Sequence, residues 1–246
     1  MKRARLARAI QDSAAIRQLA GNPLLLTMMA ILNRTQDLPR DRAELYEQCA
    51  RLLLHQWKID LGSDPELAKA TLDYKDKRNL LLRVARVMYE SEGGLAANLI
   101  EEAQLERTLA QGLEGIPGLR AERAARALID QLRGRNFMLC WLGGRSFAFV
   151  HRTFLEYFCA LEIRLRFEQE QTIVLEQLKS EIYGRHWRDG NWREVLCLLA
   201  GMIAPRFVAE VLLYLLEQPD PTRARQRIPR GTLHSRSPQA CRARPS

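Results

Sequence analysis

Nowhere does this 246-residue chain carry Gly-x-x-x-x-Gly-Lys-Ser/Thr, the loop whose amides and lysine cradle nucleotide phosphates. No acidic strand end suited to magnesium precedes its first motif either. The chain alone is therefore expected not to hydrolyse ATP. Its five cysteines, Cys49, Cys140, Cys159, Cys197 and Cys241, are scattered and odd in number, without the short paired spacing of a zinc site or a disulfide framework. A reducing cytoplasm is the expected location. The histidines His55, His186 and His234 have no ligand spacing to one another or to cysteine, so a metal site is not expected. No Ser/His/Asp arrangement or carboxylate pair offers another catalytic centre. No run approaches the roughly 20 apolar residues of a membrane span. The basic start Met1-Lys2-Arg3-Ala4-Arg5 lacks a signal core, because Arg8, Gln11 and Asp12 interrupt it.

What is present is an ordinary globular composition, 47% hydrophobic and 27% charged, with enough length for one large domain or several small ones. Several helical modules fit the patterning better. The net charge of +9 would suggest a polyanionic partner if it covered one face. Seven arginines against the single acid Asp220 lie between Gln218 and Ser246, which leaves the rest of the chain at net +3. Rich in Pro, Arg and Ser, residues 218–246 are expected to be a disordered basic tail. So sharp a break in composition reads as a shifted frame, which the nucleotide sequence of the locus can refute.

Apolar spacing predicts a helix over residues 6–19, ended at Gly21. Asn22 can then cap a helix over residues 23–33, with Pro23 in its first turn, where the missing N–H costs nothing. Asp41 and Glu44 have the spacing of a reciprocal cap. Leu45, Cys49, Leu52, Leu53 and Trp57 form the apolar stripe of the helix that follows. Gly62-Ser63-Asp64-Pro65 marks a module boundary. Further helices are expected over residues 79–89, 100–112 and 120–133.

The period then changes. Residues 137–142 and 146–150 are β-prone runs joined through Gly143-Gly144, a hairpin signature, and the following helix over residues 153–167 buries Phe154, Phe158, Leu161 and Leu165. Helices followed by such a hairpin and another helix predict a winged-helix arrangement with a two-stranded wing. Paired amphipathic helices over residues 192–203 and 206–216 could begin a helical repeat array.

At the strand-to-helix junction Phe149-Val150-His151-Arg152-Thr153, His151 sits at a helix N-terminus, where unpaired amides and the peptide dipoles attract anions. Two readings stand for each residue singled out. Pro23 is a helix-start proline or a flat ring packing on a base; His151 is a structural hydrogen-bonding residue or a phosphate ligand. Glu156 is expected to pair with an arginine, and Trp187 and Trp192 to anchor packing.

Taken together and in order, Gly21-Asn22-Pro23-Leu24-Leu25-Leu26-Thr27-Met28-Met29, Leu38-Pro39-Arg40-Asp41-Arg42-Ala43-Glu44-Leu45-Tyr46 and Phe149-Val150-His151-Arg152-Thr153-Phe154-Leu155-Glu156-Tyr157 closely resemble the NACHT class of STAND signalling NTPases, related to the NOD-like receptors. The resemblance covers about residues 6–217 and corresponds to the part after the hydrolytic core. It implies a mainly α fold: a NACHT-associated helical domain (1–62), a winged-helix domain (63–168) and the start of a HEAT-like sensor array (169–217). It also implies that Pro23 lies against the adenine of ADP or ATP, and that His151 contacts the β-phosphate of ADP in the closed state. Both roles need the missing core. The implied partners are that NTPase core, further copies on activation, and a protein or nucleic-acid ligand at the sensor; microbial members suggest a role in defence.

Two other classes stay open on the residues themselves. Arg133, Arg135 and Arg145 flank the wing, so a winged-helix nucleic-acid binder is one. A stand-alone helical docking module using residues 192–216 is the other.

Overall fold

The computed structural model describes residues 2–34, 36–39, 41–59, 72–134 and 138–218. The expected boundary at 62–65, Arg135 and the basic tail beyond Gln218 lie outside the described residues. Helices α1 (Lys2–Asp12) and α2 (Ala14–Ala20) replace the single helix expected over residues 6–19. Ser13 interrupts it by turning to an extended backbone, from which its hydroxyl accepts the Ile16 N–H at 3.3 Å. Helix α3 (Pro23–Leu32) starts as predicted, and α4 (Arg42–Gln56) is capped by Asp41, which accepts the Glu44 N–H at 2.8 Å. Trp57 is buried but lies just past α4, outside the helix whose stripe it was expected to complete. Lys77 closes this end, donating to the carbonyls of Leu54 at 3.3 Å and Trp57 at 2.7 Å.

The winged helix is built from α5 (Tyr74–Glu90), the short α6 (Gly94–Ala97), β1 (Ile100–Glu101), α7 (Glu102–Leu113), α8 (Ala121–Gly134), β2 (Leu139–Gly143) and β3 (Ser146–Phe149). Helix α5 starts five residues earlier than the apolar stripe predicts. Asp73 and Asp76 cap it reciprocally, at 2.8 and 3.0 Å. The sheet has three antiparallel strands in the order β1-β3-β2, with Ile100 opposite Phe147 and Leu139 opposite Phe149. The expected wing of two strands therefore gains a third. At two residues, β1 is too short to show a period. Gly143 and Gly144, at φ +107° and +57°, turn the hairpin in a region that side chains disfavour.

Helix α9 (Arg152–Glu168) is the centre of the molecule: Phe154 to Ile163 is buried without interruption. Helices α5, α11 (Arg193–Met202) and α4 pack around it, and a helix so enclosed must be apolar on all sides or pair its charges. Its two buried acids do pair. Glu156 accepts from Arg152 at 2.9 Å, and Glu162 accepts from the Tyr89 hydroxyl at 2.6 Å while facing Arg86 and Arg166. Burial raises both carboxyls above their ordinary value, opposed by those same donors.

A turn of helix, α10 (Leu175–Gln177), runs into a π-helical segment (Leu178–Gly184) for which the sequence carries no signal. Helix α12 (Pro205–Glu217) packs chiefly against this segment, whereas α11 packs on α9 and α4. Helices α11 and α12 are thus both present, but their main neighbours are other elements and not each other. No described helix is long and apolar enough to cross a membrane.

Candidate functional site

Helices α3 and α9 begin at the same place. Asn22, in extended conformation, caps α3 by accepting the N–H groups of Leu24 at 3.0 Å and Leu25 at 3.3 Å through Oδ1. His151 caps α9, with Nδ1 3.3 Å from the Thr153 N–H and 3.0 Å from its hydroxyl. Nδ1 accepts from the first or donates to the second according to tautomer. The two caps touch each other. Asn22 Nδ2 lies 2.9 Å from Nε2 of His151 and 3.4 Å from Nδ1. An amide on the in-plane lone pair of one ring nitrogen would stand far from the other, so these distances put the Asn22 amide against the ring face.

Pro23 occupies the first turn of α3 beside this contact and is exposed, while His151 is half-buried. The structure thus brings the two sequence-predicted residues to one spot through Asn22, which directly precedes Pro23 in the chain and touches His151. Two helix N-termini converge there, each carrying the partial positive charge of its unpaired amides. Such a place favours an anion at its rim, and an exposed pyrrolidine ring offers a flat apolar face next to it.

An aromatic clamp holds the halves in register. Tyr46 of α4 stacks on Tyr157 of α9, with centroids 5.8 Å apart and planes at 13°, and meets Phe154 edge-on at 6.4 Å. The Tyr157 hydroxyl donates to Glu47, which also accepts from Tyr74 at 3.1 Å. Burial raises the Tyr46 and Tyr157 hydroxyls well above the ordinary phenol value, and it pushes the neighbouring Cys49 thiol up to about 12. These groups are packing elements that stay protonated.

The segment leading into α11 reaches both halves of the site. Glu194 pairs with Arg42 of α4, and Asn191 Oδ1 accepts from Arg152, the residue after His151, at 3.0 Å. Neither link carries a sequence signal, because each joins residues far apart in the chain. Of the expected anchors, Trp192 is buried, stacked 3.8 Å from the His186 ring and edge-on to Tyr89. Trp187 is partly exposed, with Arg188 over its ring.

Of the wing arginines, Arg133 pairs with Glu102 at 2.6 Å and Asp130 at 2.9 Å, Arg145 is exposed, and Arg135 lies outside the described residues. A nucleic-acid face would need Arg133 free for phosphate. Among the described residues no group of three His, Cys, Asp or Glu could hold a metal ion.

Residues 42–163 match the model of a family described as a winged helix-turn-helix domain C-terminal to NACHT. No curated protein and no solved structure matches the chain.

Proposed function

Because residues 42–163 belong to the winged helix-turn-helix domains found C-terminal to NACHT, we propose that this chain works as the nucleotide-state switch of a NACHT-type signalling NTPase. The hydrolytic core is a separate part that holds ADP or ATP. Pro23 packs against the adenine, and His151 contributes at the phosphate end. What supports the reading is the contact of Asn22 with His151, which joins the start of α3 to the start of α9 beside the exposed Pro23.

The mechanism is a change of partners. In the closed state α3 and α9 present their N-termini together, and nucleotide favours that state to the extent that it binds it more tightly than the open one. Ligand capture by the region after α10 pulls on Arg152 through Asn191 and on Arg42 through Glu194. Separation of α9 from α3 then removes His151 from the nucleotide, permits exchange of ADP for ATP and frees the core to assemble with further copies.

The test is to supply a NACHT core in trans or in a fused parent and measure retained ADP. Pro23→Ala and His151→Ala are each expected to shorten ADP retention and raise basal assembly. Retention and assembly unchanged in both variants would sink the proposal.

A further inference from the structure

We infer that Thr153 is the positioning residue of His151: it keeps Nδ1 an acceptor and so leaves the ring proton on Nε2, which makes the imidazole a donor to phosphate. The phosphate as its target rests on the nucleotide-switch reading above, whereas the place of the proton rests on the chain alone. A neutral imidazole carries one N–H, and the bond made by one nitrogen decides what the other can do. The Thr153 amide lies 3.3 Å from Nδ1 and can only donate. A proton on Nδ1 would set N–H against N–H and open the cap of α9. The Thr153 hydroxyl, 3.0 Å from the same nitrogen, then fits as a second donor. Its oxygen is met in turn by the Tyr46 hydroxyl, which burial keeps protonated. The donors run one way, from Tyr46 of α4 to Thr153 and on to Nδ1.

Asn22 does not take up Nε2. Its Oδ1 accepts the Leu24 and Leu25 N–H groups, which turns its NH2 group towards His151, against the ring face and out of the ring plane. An NH2 group is a donor and offers the Nε2 proton nothing to bind. Among the described residues no acceptor meets Nε2, and the ring is half-buried beside two helix N-termini. In this tautomer the ring adds a hydrogen bond to whatever anion those termini attract. In the other tautomer Nε2 would turn a lone pair towards the anion and oppose it. The same histidine therefore helps or hinders phosphate according to the bonds that Thr153 makes.

Long-range proton–nitrogen correlation NMR on the isotope-labelled full chain reads the tautomer directly, at roughly pH 8, above the ordinary histidine value. The His151 signals are those lost in His151→Gln. The native ring should show the Nε2-protonated pattern alone. Thr153→Val keeps the amide and the side-chain bulk, and with its fold intact by circular dichroism it should bring the ring towards a mixture of both tautomers; Thr153→Ser should restore the single one. A native ring protonated on Nδ1, or a tautomer indifferent to Thr153→Val, overturns the inference. In a parent fused to a NACHT core, Thr153→Val should shorten ADP retention at least about threefold, the size of a modest hydrogen bond, and Thr153→Ser should rescue it. In a His151→Ala background Thr153→Val should change nothing further, because it acts through the ring. Retention that responds to His151→Ala but not to Thr153→Val overturns the positioning role. Retention indifferent to both Pro23→Ala and His151→Ala sinks the nucleotide-switch reading instead, and the NMR result still decides where the proton sits.

Discussion

The side-chain amide of Asn22 rests on the ring of His151, 2.9 Å from Nε2, across 129 residues of sequence. Each of the two residues also caps its own helix. One contact therefore reports on three things at once: the start of α3, the start of α9 and the placement of one against the other. A group that caps locally and binds distantly couples local helix order to how the helices are placed.

Asn22→Ala is expected to cost about 1–2 kcal/mol of unfolding free energy, from the cap alone. The part that joins α3 to α9 appears in a double-mutant cycle with His151→Ala, where we expect a coupling of at least about 0.5 kcal/mol. Strictly additive effects in urea denaturation would show that the two caps stand side by side without interacting.

Tyr46 carries the docking itself. Fully buried and stacked on Tyr157, it fills the space between α4 and the first turns of α9. Tyr46→Ala should destabilise the protein by about 3–5 kcal/mol, the range for removing a buried aromatic ring. It should also loosen α9 from α4. A loss below about 1 kcal/mol would mean that the interface repacks without the ring.

The parts legible in the sequence were those with local causes. Asn22-Pro23 announces a helix start because the cap and the proline act within one turn, and Gly143-Gly144 announces the hairpin because the turn needs positive φ. Elements ruled by distant partners were not legible. The two residues of β1 are strand only because β3 lies beside them. The π-helical segment at Leu178–Gly184 lies against α12, with Tyr214 close over Gly184. Pro23 and His151 could each be picked out singly, but their approach through Asn22 joins residues 129 apart in the chain and has no local signal.

Glu162 should leave a signature in pH. Burial raises its carboxyl above the ordinary 4.5, against the opposing help of Tyr89, Arg166 and Arg86. The folded state then binds its proton more tightly than the unfolded one. Stability contributed by Glu162 is lowest above the folded pKa, rises as pH falls through it, and gains nothing further below the unfolded value. The stability of the native protein minus that of Glu162→Gln should therefore increase between pH 7 and pH 5 in chemical denaturation. A difference that falls over that interval contradicts the assignment.

Gly184 marks a close approach. A Cβ there would stand 2.9 Å from the Lys179 carbonyl oxygen and 2.9 Å from the Tyr214 ring and hydroxyl. The backbone oxygen cannot step aside as a side-chain tip can. Gly184→Ala is expected to cost about 1–3 kcal/mol despite its better helix propensity. Thermal denaturation checks the direction, and a stabilised variant would mean that α12 shifts freely on the π-helical segment.

The two links from the 191–194 segment make separable predictions about how movement reaches the site. Arg42→Ala cuts α11 from α4, and Arg152→Ala cuts it from the start of α9 while also leaving buried Glu156 without its donor. Losing these charge-assisted hydrogen bonds should speed hydrogen exchange in α11 on the order of tenfold in either variant. Only Arg152→Ala should also speed exchange in the first turn of α9, because Arg152 adjoins His151 there. α7 and α8, which touch neither arginine's partners, should be unchanged in both. Equal acceleration across all helices would indicate global destabilisation and would remove Asn191 and Glu194 as the route from α11 to His151.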